Sequence, residues 1–112
     1  MKNVLITGAS GFIGANLVKH FEKENPEIRI SAIDDFRSSN FKNLLKTRAD
    51  ILAYNVADPA WIDAFAEREI DTIFHLASIT DTTVHNQQQM MFDNVEGFRN
   101  ILDYAVMKDA KV

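Results

Sequence analysis

Residues 1–14 read MKNVLITGASGFIG. Three apolar residues, Val4, Leu5 and Ile6, run directly into small ones, with glycine at 8, 11 and 14. The apolar run closed by Gly8 predicts a buried strand over 2–7. Beyond it Ile13, Leu17, Val18 and Phe21 recur at helical spacing, and Pro26 stops the helix. A strand-to-helix turn made of glycines gives up side-chain burial, so something must gain from bare backbone there. A dinucleotide's diphosphate would. Gly8 permits the tight turn, Gly11 lets phosphate reach backbone amides, and Gly14 lets helix and strand close on each other. The helix N-terminus adds unpaired amides and roughly half a positive charge. Gly8, Ser10, Gly11, Phe12, Ile13 and Gly14 are therefore the candidate phosphate-binding turn. Ser10 offers its hydroxyl either to phosphate or to the helix cap.

The next segment, IRISAID (28–34), alternates as a second strand and ends on Asp34. An acidic residue roughly 20 positions beyond the last glycine is where a carboxylate clasps the adenosine ribose hydroxyls. The turn lacks the Gly-Lys-Ser/Thr of a P-loop, which excludes that phosphate-binding class. Asp34 favours NAD over NADP. A 2′-phosphate about 4 Å from a carboxylate would meet repulsion of about 4 kcal/mol per charge pair. Asp35 adds a second negative charge. Arg37 and Lys42 follow closely, and either could pair with a 2′-phosphate, so NADP stays open.

Downstream, FKNLL (41–45) reads as a short helical turn and DILAY (50–54) as a third strand. Asp58-Pro59 starts a helix with Trp61, Ile62 and Phe65 on its apolar face. DTIFHLA (71–77) is a fourth strand. A long helix runs from about 86 to 108, with Met91, Val95, Phe98, Leu102 and Ala105 as its expected core stripe, and Met90 and Met91 as gap fillers. The closing DAKV approaches a fifth strand. Strands alternating with helices imply an α/β fold: the first half of a Rossmann-type, doubly wound parallel sheet, strand order 3-2-1-4, with helices on both faces.

The 112 residues carry a net charge of −4, are 46% hydrophobic and contain no cysteine. The charge argues against a nucleic-acid partner, and no apolar run reaches membrane-spanning length. A thiol catalyst and a thiolate metal site are excluded, and a cytoplasmic location fits. His20 and His85 read as surface residues. His75, at a strand end, is more often a core residue in such a position than a catalyst. Nothing groups these three histidines as metal ligands.

With TGASGFIG, AIDDF, DTIFHLAS and DNVEGFRNIL in hand, the chain resembles the extended short-chain dehydrogenase/reductases, a family of nucleotide-sugar epimerases and dehydratases. FKNLL, YNVAD and DTTVHNQQQMMFDN are similar to its ADP-glyceromanno-heptose 6-epimerase subgroup. The resemblance implies bound NAD, a nucleotide-sugar substrate and a homo-oligomer. It implies that Asn55 and Val56 flank the adenine, although Asp is commoner at 55. Leu76, Ala77 and Ser78 would line the nicotinamide side, with Ala commoner at 78, and Asn94 would support the active-site wall. Thr82 and Thr83 would lie near substrate.

Such chemistry needs a Tyr-x-x-x-Lys pair, in which a tyrosine of lowered pKa moves a proton while hydride moves to or from the nicotinamide. YAVMK (104–108) matches formally. It falls one helix too early, and Tyr104 and Lys108 read as a surface pair. No catalytic residue is therefore assigned. Residues 1–112 are expected to be the cofactor-binding N-terminal part of a longer enzyme, inactive alone. A UDP-sugar 4-epimerase, a 4,6-dehydratase, a non-catalytic NAD(P)-sensing regulator and a glycine-rich α/β domain that binds no nucleotide are the competing readings.

Overall fold

The computed structural model describes residues 1–35, 47–77 and 87–112. Its elements are β1 (Asn3–Thr7), α1 (Phe12–Glu24), β2 (Arg29–Asp34), β3 (Asp50–Ala53), α2 (Ala60–Ala64), β4 (Thr72–His75) and α3 (Gln87–Lys108). The turn expected over 41–45 lies outside the described residues. All four strands pair in parallel, in the order β3-β2-β1-β4, as the sequence pattern predicts.

β1 is buried on both sides, which is why it reads as an unbroken apolar run. Val4 and Ile6 face α1 and pack with Ala15, Val18 and Phe21. Leu5 points the other way, joining Ile33, Ile73, Trp61, Phe65, Ile101 and Tyr104. Side-chain alternation along one strand thus separates two cores, with α1 over one and α2 and α3 over the other. Strand order reverses at β1: β2 and β3 extend the sheet one way and β4 the other. A crevice for ligand is expected outside the carboxyl ends of β1 and β4.

Several expectations need correction. β4 stops at His75 rather than 77: the Leu76 amide is shared between the Thr7 carbonyl (3.2 Å) and the Thr7 hydroxyl (3.1 Å), and the Ala77 amide turns to that hydroxyl at 3.1 Å. Ile13 is 69% exposed; α1 meets its core through Ala15, Val18 and Phe21 instead. The α3 stripe is rotated. Met91, Val95, Phe98 and Leu102 are exposed, Met91 therefore fills no core gap, and the buried row is Gly97, Asn100, Ile101, Tyr104 and Ala105. Two apolar rows run along this helix, and a glycine and an asparagine disguise the one that packs. Asp58 does bind the first amide of α2, its Oδ1 accepting from Ala60 at 3.0 Å, but Pro59 occupies the cap position.

At the far edge Lys111 bridges Thr72 in parallel: the Ile73 amide donates to the Lys111 carbonyl at 2.7 Å and the Lys111 amide to the Asp71 carbonyl at 3.0 Å. This single bridge stands beside β4, where the sequence pattern expects the approach to a fifth strand. Among the described residues no helix is long and apolar enough to cross a membrane.

Candidate functional site

The β1–α1 turn is shaped by its glycines. Gly8 adopts φ +67°, and a Cβ there would lie 2.8 Å from both the Ala77 nitrogen and the Leu76 carbonyl carbon. A Cβ on Gly14 would lie 2.2 Å from the Gly8 oxygen and 2.8 Å from the Ala9 Cα, so α1 rests directly on the turn. Gly11 is different. Among the described residues its Cβ would meet only the Gly8 oxygen, at 3.4 Å. The Gly8 amide donates to the Ile33 carbonyl (2.9 Å) and the Gly11 amide to the Gly8 carbonyl (3.2 Å). The first helical bond is Ala15 to Gly11 at 2.8 Å, so the Phe12 and Ile13 amides have no acceptor within the helix. Phe12 is 83% exposed beside them.

Ser10 is fully buried, and Gly11 caps α1 without a side-chain bond. The capping alternative for Ser10 is therefore corrected: the residue sits one position before the cap. The Ser10 amide donates to Asp34 Oδ2 at 2.9 Å. That bond ties the end of β2 to the glycine turn and sets a carboxylate at its edge. Asp34 is buried and Asp35 exposed. Arg37, Lys42, Ser78, Thr82, Thr83 and His85 lie outside the described residues.

Asn55 and Val56 sit in the turn between β3 and α2. Asn55 Oδ1 accepts from the Ala57 amide at 3.0 Å, and the Asn55 carbonyl accepts from the Asp58 amide at 2.9 Å. The Val56 carbonyl accepts from Trp61 Nε1 and from Asn100 Nδ2, both at 2.9 Å. Asn100 Nδ2 also donates to the Ala57 carbonyl at 3.1 Å. Gly97 stands where a Cβ would come within 2.7 Å of Val56 Cγ1. Thr7, Gly97 and Asn100 are thus site-shaping residues that the sequence reading did not single out. A lone glycine inside a long helical pattern is the available sign, since it usually has a packing reason. Asn94 is half-buried on α3, one turn before Phe98.

Leu76 and Ala77 follow β4 directly over Gly8. His75 Nδ1 lies 2.8 Å from the Thr7 hydroxyl, and its ring stacks on Phe98 at 5.8 Å and 13°. Burial lowers the His75 pKa below its ordinary value. The expected surface pair at 104–108 is corrected. Tyr104 is fully buried, its hydroxyl donates to the Phe65 carbonyl at 2.8 Å, and Lys108 donates to the Ala66 carbonyl. Burial pushes the Tyr104 pKa up to about 12, against a smaller opposing pull from Arg68. That is the reverse of what a proton-moving tyrosine requires.

Solved structures share this architecture. Helicobacter pylori ADP-L-glycero-D-manno-heptose-6-epimerase is 35% identical, with a TM-score of 0.90 over 99% of this chain and 37% of its own. An epimerase of Methanothermobacter thermautotrophicus is 26% identical, with a TM-score of 0.86 over 97% of this chain and 33% of its own. UDP-glucose 4-epimerase of Thermotoga maritima, at 22% identity, has a TM-score of 0.86 over 96% of this chain and 35% of its own, a likeness of fold. The chain spans about a third of the length of these structures. The model of the NAD dependent epimerase/dehydratase family matches residues 4–112. With that match and the glycine turn at the strand switch, the chain belongs to the NAD dependent epimerase/dehydratase family, whose cofactor is NAD.

Proposed function

We propose that these residues are the NAD-binding portion of a nucleotide-sugar epimerase of the ADP-glyceromanno-heptose 6-epimerase kind. The observation that carries the reading is the turn itself. Gly8 and Gly14 leave no room for a Cβ, while among the described residues a Cβ on Gly11 would meet only the Gly8 oxygen, in front of the Phe12 and Ile13 amides that no helical acceptor takes. Those amides and the Gly11 backbone would receive the diphosphate. Asp34 would take the adenosine ribose hydroxyls; a carboxylate has about four acceptor positions, so accepting from the Ser10 amide does not exhaust it. Asn55 and Val56 would flank the adenine, with Asn100 holding their turn. Leu76 and Ala77 would border the nicotinamide side, and Asn94 the substrate-facing wall. NAD, when bound, supplies a reversible hydride acceptor, which lets a sugar carbon be oxidised and then reduced on its other face. The buried Tyr104 cannot serve as the proton carrier, so residues 1–112 bind cofactor and leave proton transfer to a downstream part of a longer, homo-oligomeric enzyme.

Calorimetric titration with NAD, NADP and ADP-ribose tests this. NAD and ADP-ribose are expected to bind saturably, NADP at least about tenfold more weakly because of the Asp34 charge, and no sugar nucleotide is expected to turn over. Failure of all three to bind saturably rejects the reading.

A further inference from the structure

Thr7, the last residue of β1, is fully buried, and its hydroxyl oxygen has three neighbours: the Leu76 amide at 3.1 Å, the Ala77 amide at 3.1 Å and His75 Nδ1 at 2.8 Å. A hydroxyl has one proton and two lone pairs, and a backbone amide can only donate. The two amides therefore use both lone pairs, and the hydroxyl proton must go to His75. A nitrogen that accepts that proton carries none of its own. Neutral His75 is consequently the tautomer protonated on Nε2. The opposite tautomer would aim three donors at one oxygen and leave a fully buried hydroxyl proton without an acceptor.

We propose that His75 is a positioning residue of the crevice: by taking the Thr7 hydroxyl proton at Nδ1, it commits that oxygen to the Leu76 and Ala77 amides and so fixes the backbone that lies over Gly8. The consequence is local and geometric. β1 and β4 are the two strands at the switch in strand order, and the residues that follow them, Gly8 on one side and Leu76 and Ala77 on the other, are packed to within the reach of a single absent Cβ. The Leu76 amide also reaches the Thr7 carbonyl at 3.2 Å. The hydroxyl is the only one of these acceptors that binds both amides. The stack of Phe98 on the imidazole holds the ring in the orientation that presents Nδ1 to Thr7. His75 touches no cofactor in this scheme and acts through Thr7.

The relevance to cofactor binding rests on the function proposed above; the tautomer and the clamp do not. Long-range proton–nitrogen spectra of the ¹⁵N-labelled full chain read the tautomer directly. His75 is expected to show a protonated Nε2 and a bare Nδ1, and Thr7→Val is expected to remove that preference while Thr7→Ser keeps it. In His75→Phe, which retains the stack but has no acceptor, hydrogen exchange at the Leu76 and Ala77 amides should speed up at least tenfold while β2 amides are unchanged. In His75→Asn, whose Oδ1 stands near the Nδ1 position, protection should return to within about threefold. NAD affinity should fall about tenfold in His75→Phe and recover in His75→Asn. A wild-type chain carrying its proton on Nδ1 overturns the proposal, and it does so even if His75→Phe fails to fold. Unchanged exchange at Leu76 and Ala77 in His75→Phe also overturns it. The expected tautomer and exchange in a wild-type chain that binds no NAD would support the clamp and reject the assigned function.

Discussion

A methyl group added at each of the three turn glycines meets three different surroundings. On Gly14 it would strike the Gly8 oxygen and the Ala9 Cα, both backbone, so α1 must move off the sheet. Overpacking of this kind costs about 1–3 kcal/mol. On Gly8 it would strike Leu76 and Ala77 backbone in a left-handed conformation, which adds backbone strain of order 1 kcal/mol or more. On Gly11 it would touch, among the described residues, only the Gly8 oxygen at ordinary contact distance and project into the space assigned to the diphosphate. Gly11→Ala is therefore expected to keep its unfolding free energy from urea melts within about 1 kcal/mol of the parent, the cost of alanine at a cap position, and lose at least tenfold in NAD affinity. Gly14→Ala and Gly8→Ala should lose both stability and binding. Denaturation and calorimetry on the same three variants check this. A stable Gly14→Ala or a tight-binding Gly11→Ala would contradict the division of labour. The roles of all three glycines were legible from spacing alone, because glycine's uses in such a turn are few. The seat of Ser10 was not: nothing in a sequence distinguishes a serine that caps a helix from one buried beneath the turn with its amide on Asp34.

At the scale of elements, α3 shows where pattern reading stops. Its apolar residues form two rows, and counting hydrophobic side chains favours Met91, Val95, Phe98 and Leu102. The row that packs contains Gly97, chosen for closeness to Val56, and Asn100, chosen for the Val56 and Ala57 carbonyls. Both look like interruptions until the β3–α2 turn is in place, and that turn is a long-range neighbour. The contrast between adjacent positions is a direct check. Ile101→Ala removes a fully buried side chain and is expected to cost about 2–4 kcal/mol. Leu102→Ala removes one that is 45% exposed and should cost less than about 1 kcal/mol. Equal losses in urea melts would mean that α3 is seated on the row first expected. The strands raised no such ambiguity. β1 is a short apolar run closed by Gly8 and β2 a short alternating one closed by Asp34, so their existence and type followed from the pattern. The end of β4 was misplaced most, by two residues, where the Thr7 hydroxyl takes the Ala77 amide; the other strand ends moved by at most one.

Across the whole molecule, the seam between β1 and β4 decides whether a crevice exists, and it is tied at both ends by groups that titrate. At the amino end Asp71 Oδ2 accepts from the Lys2 and Asn3 amides, each at 2.8 Å, and Oδ1 from the Thr72 hydroxyl at 2.7 Å. Burial works to raise the Asp71 pKa, but the Asn3 and Lys2 amides, the Thr72 hydroxyl and the chain's amino terminus together outweigh it and hold the carboxyl below 3.8. At the carboxyl end burial holds His75 below 6.5. In each case the unfolded chain binds more protons than the folded one between the lowered and the ordinary pKa, so stability rises with pH across that window. His75 thus contributes in full above about pH 6.5 and loses its contribution as pH falls through its lowered value. Asp71 contributes in full above about pH 3.8 and loses its share at lower pH still. Urea denaturation from pH 8 to pH 3 should show the first decline beginning below pH 6.5. His75→Asn, which has no proton to gain there, should flatten it. Asp71→Asn should leave that decline intact, lower stability at neutral pH by about 1–2 kcal/mol through the lost charge-assisted bonds, and reduce the further decline below pH 3.8. A parent chain whose stability is level from pH 8 to pH 5 would show that the carboxyl end of the seam does not depend on a neutral His75.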